Sequence, residues 1–261
     1  EIRQLDWGVE CRVGPERLWA RLILLATGAE SQLPRRLGFH LAAAGQEAVG
    51  IRCYIRSKAR LRQAVASYDR ELLPGFSWIV PLGDGDYNVG CILFEPADPG
   101  PVLQRFLETF PLARYLMSEQ SRVGEPVAAP LRCGLPPNLP IADGRALLAG
   151  EAIYTTLPFT GEGVGAALES GLLAAEILDA ALSNPDAVNG WRERINVRMG
   201  ARYRTHEVAQ RWLANRWLHE LLCWRILRSS WMRGQVEGLL SDHGDPTHLC
   251  SWHAVFESFR H

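Results

Sequence analysis

The sequence predicts a mixed α/β (α+β) fold, with strands concentrated in the first half and helices towards the C-terminus. Two short apolar runs, 20–26 and 146–149, are bounded by charged residues and Gly, as is typical of buried strands. The runs 76–81 and 87–94 flank a loop rich in Gly and Asp, which predicts a β-hairpin. Residues 185–240 carry no strand signal and are rich in Arg and Trp, so we expect helices there.

The composition is typical of a soluble globular protein of one or two domains. Of its 261 residues, 47% are hydrophobic and 22% are charged, and the formal net charge of −1 gives no indication of nucleic-acid binding. No apolar run is long enough to span a membrane, and no secretory signal is evident. Six cysteines without a CxxC pair indicate reduced thiols in a cytoplasmic protein. They are Cys11, Cys53, Cys91, Cys133, Cys223 and Cys250.

The first strands follow from local patterns. A hairpin is predicted around the turn Gly14-Pro15. The run 20–26 is apolar on both faces, which predicts a strand in the middle of a sheet that is covered on both sides. Residues 47–56 alternate in polarity and therefore predict a half-buried strand.

The stretch 145–178 is the most informative part of the chain. Its strand, 146–149, leads into a loop, and a helix is predicted to begin at Thr160, whose side chain can cap the first turn. The first turn is kept free of side-chain bulk by three glycines: Gly161, Gly163 and Gly165. Such a helix start exposes backbone N–H groups and the positive end of the dipole, so it favours an anionic group.

Three segments occur in a recognisable order: ATGAES (26–31), PGFSWIVPLGDGDYNVG (74–90) and LLAGEAIYTTLPFTGEGVGAALESGLLAAE (147–176). Over about residues 1–180 the chain resembles the geranylgeranyl reductase family of FAD-dependent oxidoreductases, within a wider group that includes aromatic hydroxylases and flavin halogenases. The resemblance implies a partial, discontinuous FAD-binding Rossmann-like domain, an antiparallel β-sheet substrate domain and a helical C-terminal region. The implied boundaries are 1–34 with 131–180, then 35–130, then 181–261.

The resemblance also implies a set of FAD-binding residues. They are Thr27, Gly28, Gly150, Glu151, Pro158, Thr160, Gly161, Glu162, Gly163 and Val164. Glu151 stands where most members have Asp, which implies a contact with the ribityl chain; the alternative is a surface acid at a strand end. Glu162 is either a first-turn acid that interacts with the helix dipole or a proton donor. The amides of 161–164 would stabilise the negative edge of reduced flavin.

Three further residues match the family's aromatic-x-Trp-x-x-Pro strand: Phe76, Trp78 and Pro81. The resemblance implies that this strand walls a pocket for an apolar substrate, although Trp78 could instead pack in a core. No catalytic residue is identified by the sequence. Tyr154 is a conceivable proton donor, only because it lies in the loop beside the flavin motif.

The implied reaction is reduction of C=C bonds in an isoprenoid (geranylgeranyl) chain by hydride transfer from reduced flavin N5. NAD(P)H or ferredoxin would be the electron donor. Two alternatives stay open. One is a flavin-dependent monooxygenase or halogenase on the same scaffold. The other is an inactive fragment that retains a lipid- or partner-binding surface.

One departure from the family pattern concerns the cofactor. No GxGxxG follows an N-terminal strand, although in the family this fingerprint opens the chain and holds the FAD pyrophosphate. The sequence, which starts at Glu1, therefore resembles the C-terminal two-thirds of such an enzyme. We expect these residues alone to bind FAD weakly or not at all.

The helices rich in Trp and Arg have two interpretations. Their aromatic residues could pack on the sheet domain as a helical cap, or they could form a peripheral membrane face with Trp at the headgroup level.

A small group near the C-terminus contains possible metal ligands: His243, His248, Cys250 and His253. Their spacing fits no common zinc pattern, so we predict no metal site.

Overall fold

The computed structural model describes residues 1–41, 46–94, 97–240 and 246–260, and contacts divide the chain into two compact units. Unit 1 comprises Glu1–Gln46, Arg132–Ala209 and Gln235–Ala254. Unit 2 comprises Glu47–Leu131, Gln210–Gly234 and Val255–His261. The residues after 181 are thus shared between the two units. The domain boundaries implied by the resemblance stay a prediction.

Strands and helices alternate along the chain, and the helices dominate its last third. The strands are β1 (Ile2–Leu5), β2 (Gly8–Val13), β3 (Glu16–Ala20), β4 (Ile23–Leu25), β5 (Gln46–Ser57), β6 (Val65–Ser67), β7 (Phe76–Gly83), β8 (Asp86–Leu93), β9 (Gln120–Val123), β10 (Val127–Cys133), β11 (Ala142–Asp143) and β12 (Ala146–Leu148). The α-helices are α1 (Gln32–Arg36), α2 (Pro99–Thr109), α3 (Pro111–Ser118), α4 (Val164–Ser183), α5 (Trp191–Ala214), α6 (Arg216–Arg228), α7 (Ser230–Leu240) and α8 (Trp252–Glu257). The mixed α/β character predicted from the sequence is confirmed.

Unit 1 contains two small sheets. Strands β1, β2 and β3 form an antiparallel meander, which confirms the hairpin at Gly14, where φ is +59°. The second sheet has the order β11-β12-β4, with β4 and β12 parallel. The core lies between this sheet, α4 and the first half of α5. Leu147, Leu148 and Trp191 are fully buried in it.

The prediction of one buried central strand over 20–26 is wrong. Ala20 ends β3, the chain bends at the exposed Arg21, and β4 covers only Ile23–Leu25. Within the described residues β4 is an edge strand, and of its three residues only Leu25 is fully buried. Because a charged residue interrupts the apolar run, its two ends join different sheets.

Unit 2 is built on one larger antiparallel sheet with the order β10-β5-β8-β7-β6, and β9 also pairs with β5. The predicted β7–β8 hairpin is confirmed, and Gly83 and Gly85 at its turn have φ of +97° and +82°. Helices α2 and α3 contribute Leu103 and Leu116 to a core shared with Ile79 of β7. Strand β10 carries the chain from unit 2 into unit 1.

The helical prediction for 185–240 is also confirmed, because these residues form α5, α6 and α7 after a short 3₁₀ turn. The indole of Trp191, at the start of α5, donates to the carbonyl of Leu148 over 2.9 Å. This bond ties the helical region of unit 1 to the strand that leads into the candidate site.

Candidate functional site

The candidate site lies where the parallel strands β4 and β12 end side by side. Leu148 is paired with Leu25. The amide of Ala149 donates a hydrogen bond of 3.0 Å to the carbonyl of Leu25. Parallel strands deliver their carboxyl ends to one edge, which is where open α/β sheets bind ligands. The two predicted pairs, Thr27-Gly28 and Gly150-Glu151, therefore meet at this edge.

Both turns after these strands need glycine for their backbone conformation. Gly28 and Gly150 have φ of +63° and +65°, the left-handed region that favours glycine. A larger residue would not clash at either position. A Cβ at Gly28 would lie 3.6 Å from Glu151 Oε2, and a Cβ at Gly150 would lie 3.5 Å from Ala167 Cβ, both ordinary contact distances. The amide of Gly150 donates to Ser170 Oγ of α4 over 2.8 Å, which fixes the strand end on the helix.

Glu151 is half-buried at the centre of this edge. Its Oε1 accepts a hydrogen bond from the backbone amide of Arg132 over 3.0 Å, and its Oε2 faces Gly28. Burial raises the pKa of the Glu151 carboxyl above its usual value, while the Arg132 amide and the Arg132 charge oppose that shift. The carboxylate is thus held in place but keeps one oxygen for another partner.

Arg132 was not singled out by the sequence analysis, although the structure places it beside Glu151. Its side chain is only 7% exposed, and Nη1 has no hydrogen-bond partner among the described residues. The guanidinium carbon lies 5.4 Å from the centroid of the Tyr154 ring. The sequence feature that could have identified Arg132 is its position between Leu131 and Cys133, as a single Arg in an extended apolar stretch.

The expectation that α4 begins at Thr160 is wrong. The helix begins at Val164, with Gly163 as its N-cap and no side-chain cap bond from that residue. Before it, the amide of Gly161 donates to the carbonyl of Leu157, and Gly161 has φ of +69°. This closed turn with a left-handed residue is incompatible with a helix start at Thr160.

The side chain of Glu162 caps the start of α4. Its Oε1 accepts a hydrogen bond of 3.1 Å from the amide of Gly165, as the side chain of an N-cap residue usually does. Glu162 therefore interacts with the start of the helix, although it precedes the N-cap and does not lie in the first turn as predicted. Gly163 packs against Thr156, and Val164 is 77% exposed.

Tyr154 is poorly placed to deliver a proton. The side chain is fully buried, and its hydroxyl donates to the carbonyl of Leu41 over 2.9 Å in the core of unit 1. Its backbone is left-handed, with φ of +66°, and ends the short 3₁₀ turn that follows β12. Its ring, rather than its hydroxyl, contributes to the site, by supporting Arg132.

The three predicted substrate residues lie on β7 of unit 2. Phe76 and Trp78 have ring centroids 6.0 Å apart, on the face of the sheet opposite the core residue Ile79. The Trp78 indole donates to Asn88 Oδ1 over 3.0 Å and lies over Gly90, where a Cβ would come within 2.4 Å of the ring. Pro81 is half-buried further along the strand. Trp78 is half-buried, and its role as a pocket wall stays a prediction.

Other reactive groups give no second site within the described chain. All six cysteines are free, and burial raises the pKa of Cys91, Cys133 and Cys250 to about 12. His243 lies outside the described residues, and no cluster of three potential metal ligands occurs among the described ones. In the described chain, no helix has both the length and the apolar character needed to cross a membrane.

Comparison with known proteins gives curated relatives, although no family model matches the chain. A menaquinone reductase from Mycolicibacterium smegmatis is 32% identical over 170 residues, which cover 60% of this chain and 40% of the relative. Digeranylgeranylglycerophospholipid reductase 2 from Methanopyrus kandleri is 29% identical over 188 residues, which cover 69% of this chain and 47% of the relative. The matches span less than half the length of both relatives. They confirm the resemblance to geranylgeranyl reductases.

Solved structures confirm the fold. A geranylgeranyl bacteriochlorophyll reductase-like protein from Thermoplasma acidophilum aligns with a TM-score of 0.70 at 19% identity, over 99% of this chain and 64% of that one. A flavin-dependent brominase aligns with a TM-score of 0.63 at 15% identity, over 97% of this chain and 65% of that one. Both alignments cover almost the entire chain, so these residues share the fold of the corresponding parts of both proteins.

Proposed function

We propose that the protein is an FAD-dependent oxidoreductase that reduces C=C bonds of an isoprenoid chain. The relatives named above are reductases, one of a menaquinone and one of a digeranylgeranylglycerophospholipid. The observation that carries the proposal is the edge where β4 and β12 end, with Glu151 between Gly28 and Arg132 and with α4 joined to Gly150 through Ser170.

The residues at this edge fit a flavin. Gly28 lies next to the Glu151 carboxylate and has no side chain, so a ligand can approach the carboxylate and the backbone closely. Oε2 of Glu151 is an acceptor that faces Gly28. This acceptor suits a hydroxyl of the polar chain of the cofactor, and the start of α4 suits the negative edge of a reduced flavin ring.

Within this proposal, the chain holds and orients the cofactor. Glu151 would accept from a ribityl hydroxyl, and the other predicted residues, Thr27 and Gly150 on the strand ends and 158–164 before α4, would line the ring. The amides at the start of α4 would stabilise negative charge on the bound group. When bound in its reduced form, FAD supplies a hydride, and the second alkene carbon takes up a proton to give the saturated bond.

The substrate class follows from apolar walls in unit 2. Phe76, which is buried, and Trp78, which is half-buried, pack together on the face of the sheet that is not covered by α2 and α3, and Pro81 lies half-buried on the other face. An isoprenoid or quinone side chain would pack there through apolar contact. NAD(P)H or ferredoxin would supply electrons to the flavin.

The test uses protein expressed from its own gene, so that any residues encoded on either side of these 261 are included. We expect flavin absorbance at stoichiometric FAD. Under anaerobic conditions with dithionite, a polyprenyl lipid should gain one pair of hydrogens per reduced double bond by mass spectrometry. Glu151→Leu should lose the flavin, whereas Glu176→Gln, an exposed acid of α4 paired with Arg194, should keep it.

Three outcomes separate the alternatives. Oxygen consumption with an aromatic substrate and a reduced nicotinamide, or halide incorporation, would identify a monooxygenase or halogenase instead. Flavin binding without turnover of any prenyl substrate would leave an inactive remnant. A protein without flavin under all conditions would contradict the proposal itself.

We further propose a cytoplasmic protein with peripheral membrane contact through α6 in unit 2. Trp217, Trp224 and Leu227 are 83%, 42% and 76% exposed, and their spacing places them on one side of the helix. Arg228 lies 4.9 Å above the Trp224 ring, which combines apolar surface with positive charge. Trp191, by contrast, is fully buried and fits the alternative of helix packing.

Vesicle co-sedimentation tests this contact. The protein should sediment with vesicles that contain anionic phospholipid, and a Trp217→Ser, Trp224→Ser double variant should sediment less. Trp7→Ser removes a Trp of similar exposure, 58%, from unit 1 and serves as the control. Sedimentation that is indifferent to anionic lipid, or equal loss in the control, would exclude this surface.

A further inference from the structure

Unit 2 contains a cleft between the segment that follows β5 and the turn that joins β7 to β8. Its volume is about 850 Å³, and the residues that line it are 56–62, Pro81 and 83–87. All of them belong to unit 2, whereas the edge with Glu151 belongs to unit 1. The cleft therefore needs an explanation of its own.

The backbone of the segment 57–62 is held in place, although β5 ends at Ser57. The hydroxyl of Tyr87 donates to the carbonyl of Ala59 over 2.7 Å and accepts from the amide of Leu61 over 3.1 Å. The amide of Ala59 donates to Ser57 Oγ over 3.1 Å. One buried tyrosine thus fixes the conformation of the whole segment.

Three cations of this segment point towards solvent. Lys58, Arg60 and Arg62 are exposed, whereas Ala59 between them is buried and Leu61 is half-buried. None of the three cations has an ion-pair partner in the described part of the chain. Alternate residues of a chain are at most about 7 Å apart, so these long side chains can reach a single ligand.

The other charges of the cleft leave this positive charge uncompensated. Its lining has four cations and two acids, Asp84 and Asp86. Arg56 forms an ion pair with Asp86 and lowers the pKa of that carboxyl by its hydrogen bond, and the charge of Arg122 adds to the effect. Arg122 is paired with Arg56 between β9 and β5. Asp86 is thus neutralised by its neighbours, and the three outward cations face Asp84 alone.

The chemistry of three neighbouring cations limits what can bind to them. A carboxylate has two oxygens in one plane and pairs with one guanidinium, whereas a phosphate has three terminal oxygens that point in different directions. Two linked phosphates offer acceptors for two guanidinium groups and one ammonium group at once. An uncharged ligand would leave the positive charge of the cleft uncompensated.

We infer that this cleft binds a group with two or more linked phosphates through Lys58, Arg60 and Arg62. The inference goes beyond the proposed function and does not depend on flavin binding. A soluble phosphate compound and the diphosphate headgroup of a lipid share this chemistry. The experiment therefore has one arm for each source.

Isothermal titration calorimetry with inorganic pyrophosphate tests the site, on protein purified from its own gene at low ionic strength. The double variant Arg60→Gln, Arg62→Gln should raise the Kd by roughly 10- to 100-fold, because two charge-assisted hydrogen bonds are lost at an exposed site. The double variant Arg35→Gln, Arg36→Gln removes the same charge from exposed positions of α1 in unit 1 and should leave the Kd unchanged.

Tyr87→Phe separates a fixed cleft from a diffuse positive surface. It keeps every charge but removes the hydroxyl that holds Ala59 and Leu61. Pyrophosphate binding should weaken by about 3- to 10-fold, because the segment is no longer preorganised. Citrate, a multiply charged carboxylate, should bind to the wild type more weakly than pyrophosphate. Circular dichroism and Tm verify that each variant is folded.

A prenyl diphosphate distinguishes the two sources of the ligand. Tighter binding than pyrophosphate, lost in Arg60→Gln, Arg62→Gln, identifies a lipid headgroup. Equal affinities identify a soluble compound. Both results support the inference.

The remaining outcomes overturn it. Wild-type protein that does not bind pyrophosphate has no such site, and an equal loss in the α1 variant assigns binding to overall charge. Unchanged affinity in Tyr87→Phe together with equal binding of citrate would indicate a diffuse surface. Co-sedimentation with anionic phospholipid vesicles that requires Arg60 and Arg62, and that pyrophosphate does not inhibit, would make this surface a membrane contact instead.

Discussion

Replacing Gly163 by Ala tests how tightly the start of α4 is packed. Gly163 has φ of −135°, which any residue can adopt, so the expected cost is steric. The added Cβ would lie 2.9 Å from Thr156 Oγ1 and 3.6 Å from Thr156 Cβ. Thr156 is 3% exposed, forms a parallel bridge with Cys133 and accepts from the amide of Gly134, so its backbone cannot easily move away.

The expected magnitude follows from that contact. Overpacking of this kind costs about 1–3 kcal/mol. In a chain of this size the midpoint of thermal unfolding should fall by about 2–4 °C for each kcal/mol. Differential scanning calorimetry without ligand measures the effect on the fold, and flavin titration measures the effect on the site. We expect both to worsen, because the shift displaces the first turn of α4.

A double-variant cycle makes this prediction specific. Thr156→Ala removes Oγ1 and leaves contacts of 3.6 Å and 3.7 Å, to Cβ and Cα, which are ordinary van der Waals distances, so it should recover most of the loss caused by Gly163→Ala. Gly171→Ala is the control within the same helix. Nothing lies within 4 Å of a Cβ there, so Ala should stabilise α4 by about 0.5–1 kcal/mol. Gly163→Ala as stable as the wild type, or no rescue by Thr156→Ala, would refute the reasoning.

Two further substitutions test the strand and the carboxylate of the site. Trp191→Phe removes the donor to the buried carbonyl of Leu148 and should reduce the free energy of unfolding in urea by about 1–3 kcal/mol; a loss below about 0.5 kcal/mol would mean that water replaces the indole. Glu151→Gln should be increasingly more stable than wild type as pH rises from 4 to 7. Burial raises the folded-state pKa of Glu151, so its favourable contribution is complete at low pH and is lost as pH rises through that pKa. The Gln side chain does not ionise, so its contribution does not change with pH. A stability difference between the two proteins that is independent of pH would show that burial does not raise the pKa of Glu151.

Local signals in the sequence were sufficient where one short segment determines the structure. The β7–β8 hairpin depends on Gly83 and Gly85, whose positive φ values are available to glycine at little cost, and the sequence shows them directly between two apolar runs. The same holds for the left-handed turns at Gly28 and Gly150, which mark the ends of β4 and β12. These residues locate the candidate edge before any tertiary contact is known.

Features that depend on contacts between residues were missed or misplaced. The start of α4 was assigned to Thr160 by its capping propensity, but the Leu157–Gly161 turn delays the helix, and the cap comes from Glu162. Arg132 became visible only when β10 brought it to Glu151, because nothing in its own neighbourhood specifies a partner 19 positions later in the chain. Propensity describes a residue alone, whereas the start of α4 depends on the turn before it and the place of Arg132 depends on a distant strand end.

The contribution of Arg132 and Glu151 to folding stability does not explain why both charged residues occur at the edge where β4 and β12 end. A Gln at position 151 could accept the Arg132 amide equally well and would avoid the cost of burying a charge. A Met at position 132 would remove a buried donor that lacks a partner. The charges favour each other through space, which lowers the cost of keeping both, but they leave a donor and an acceptor unbonded. At position 151, an acid that stability alone does not favour is held in place by the Arg132 amide before any ligand arrives, which is the character of a preorganised binding residue.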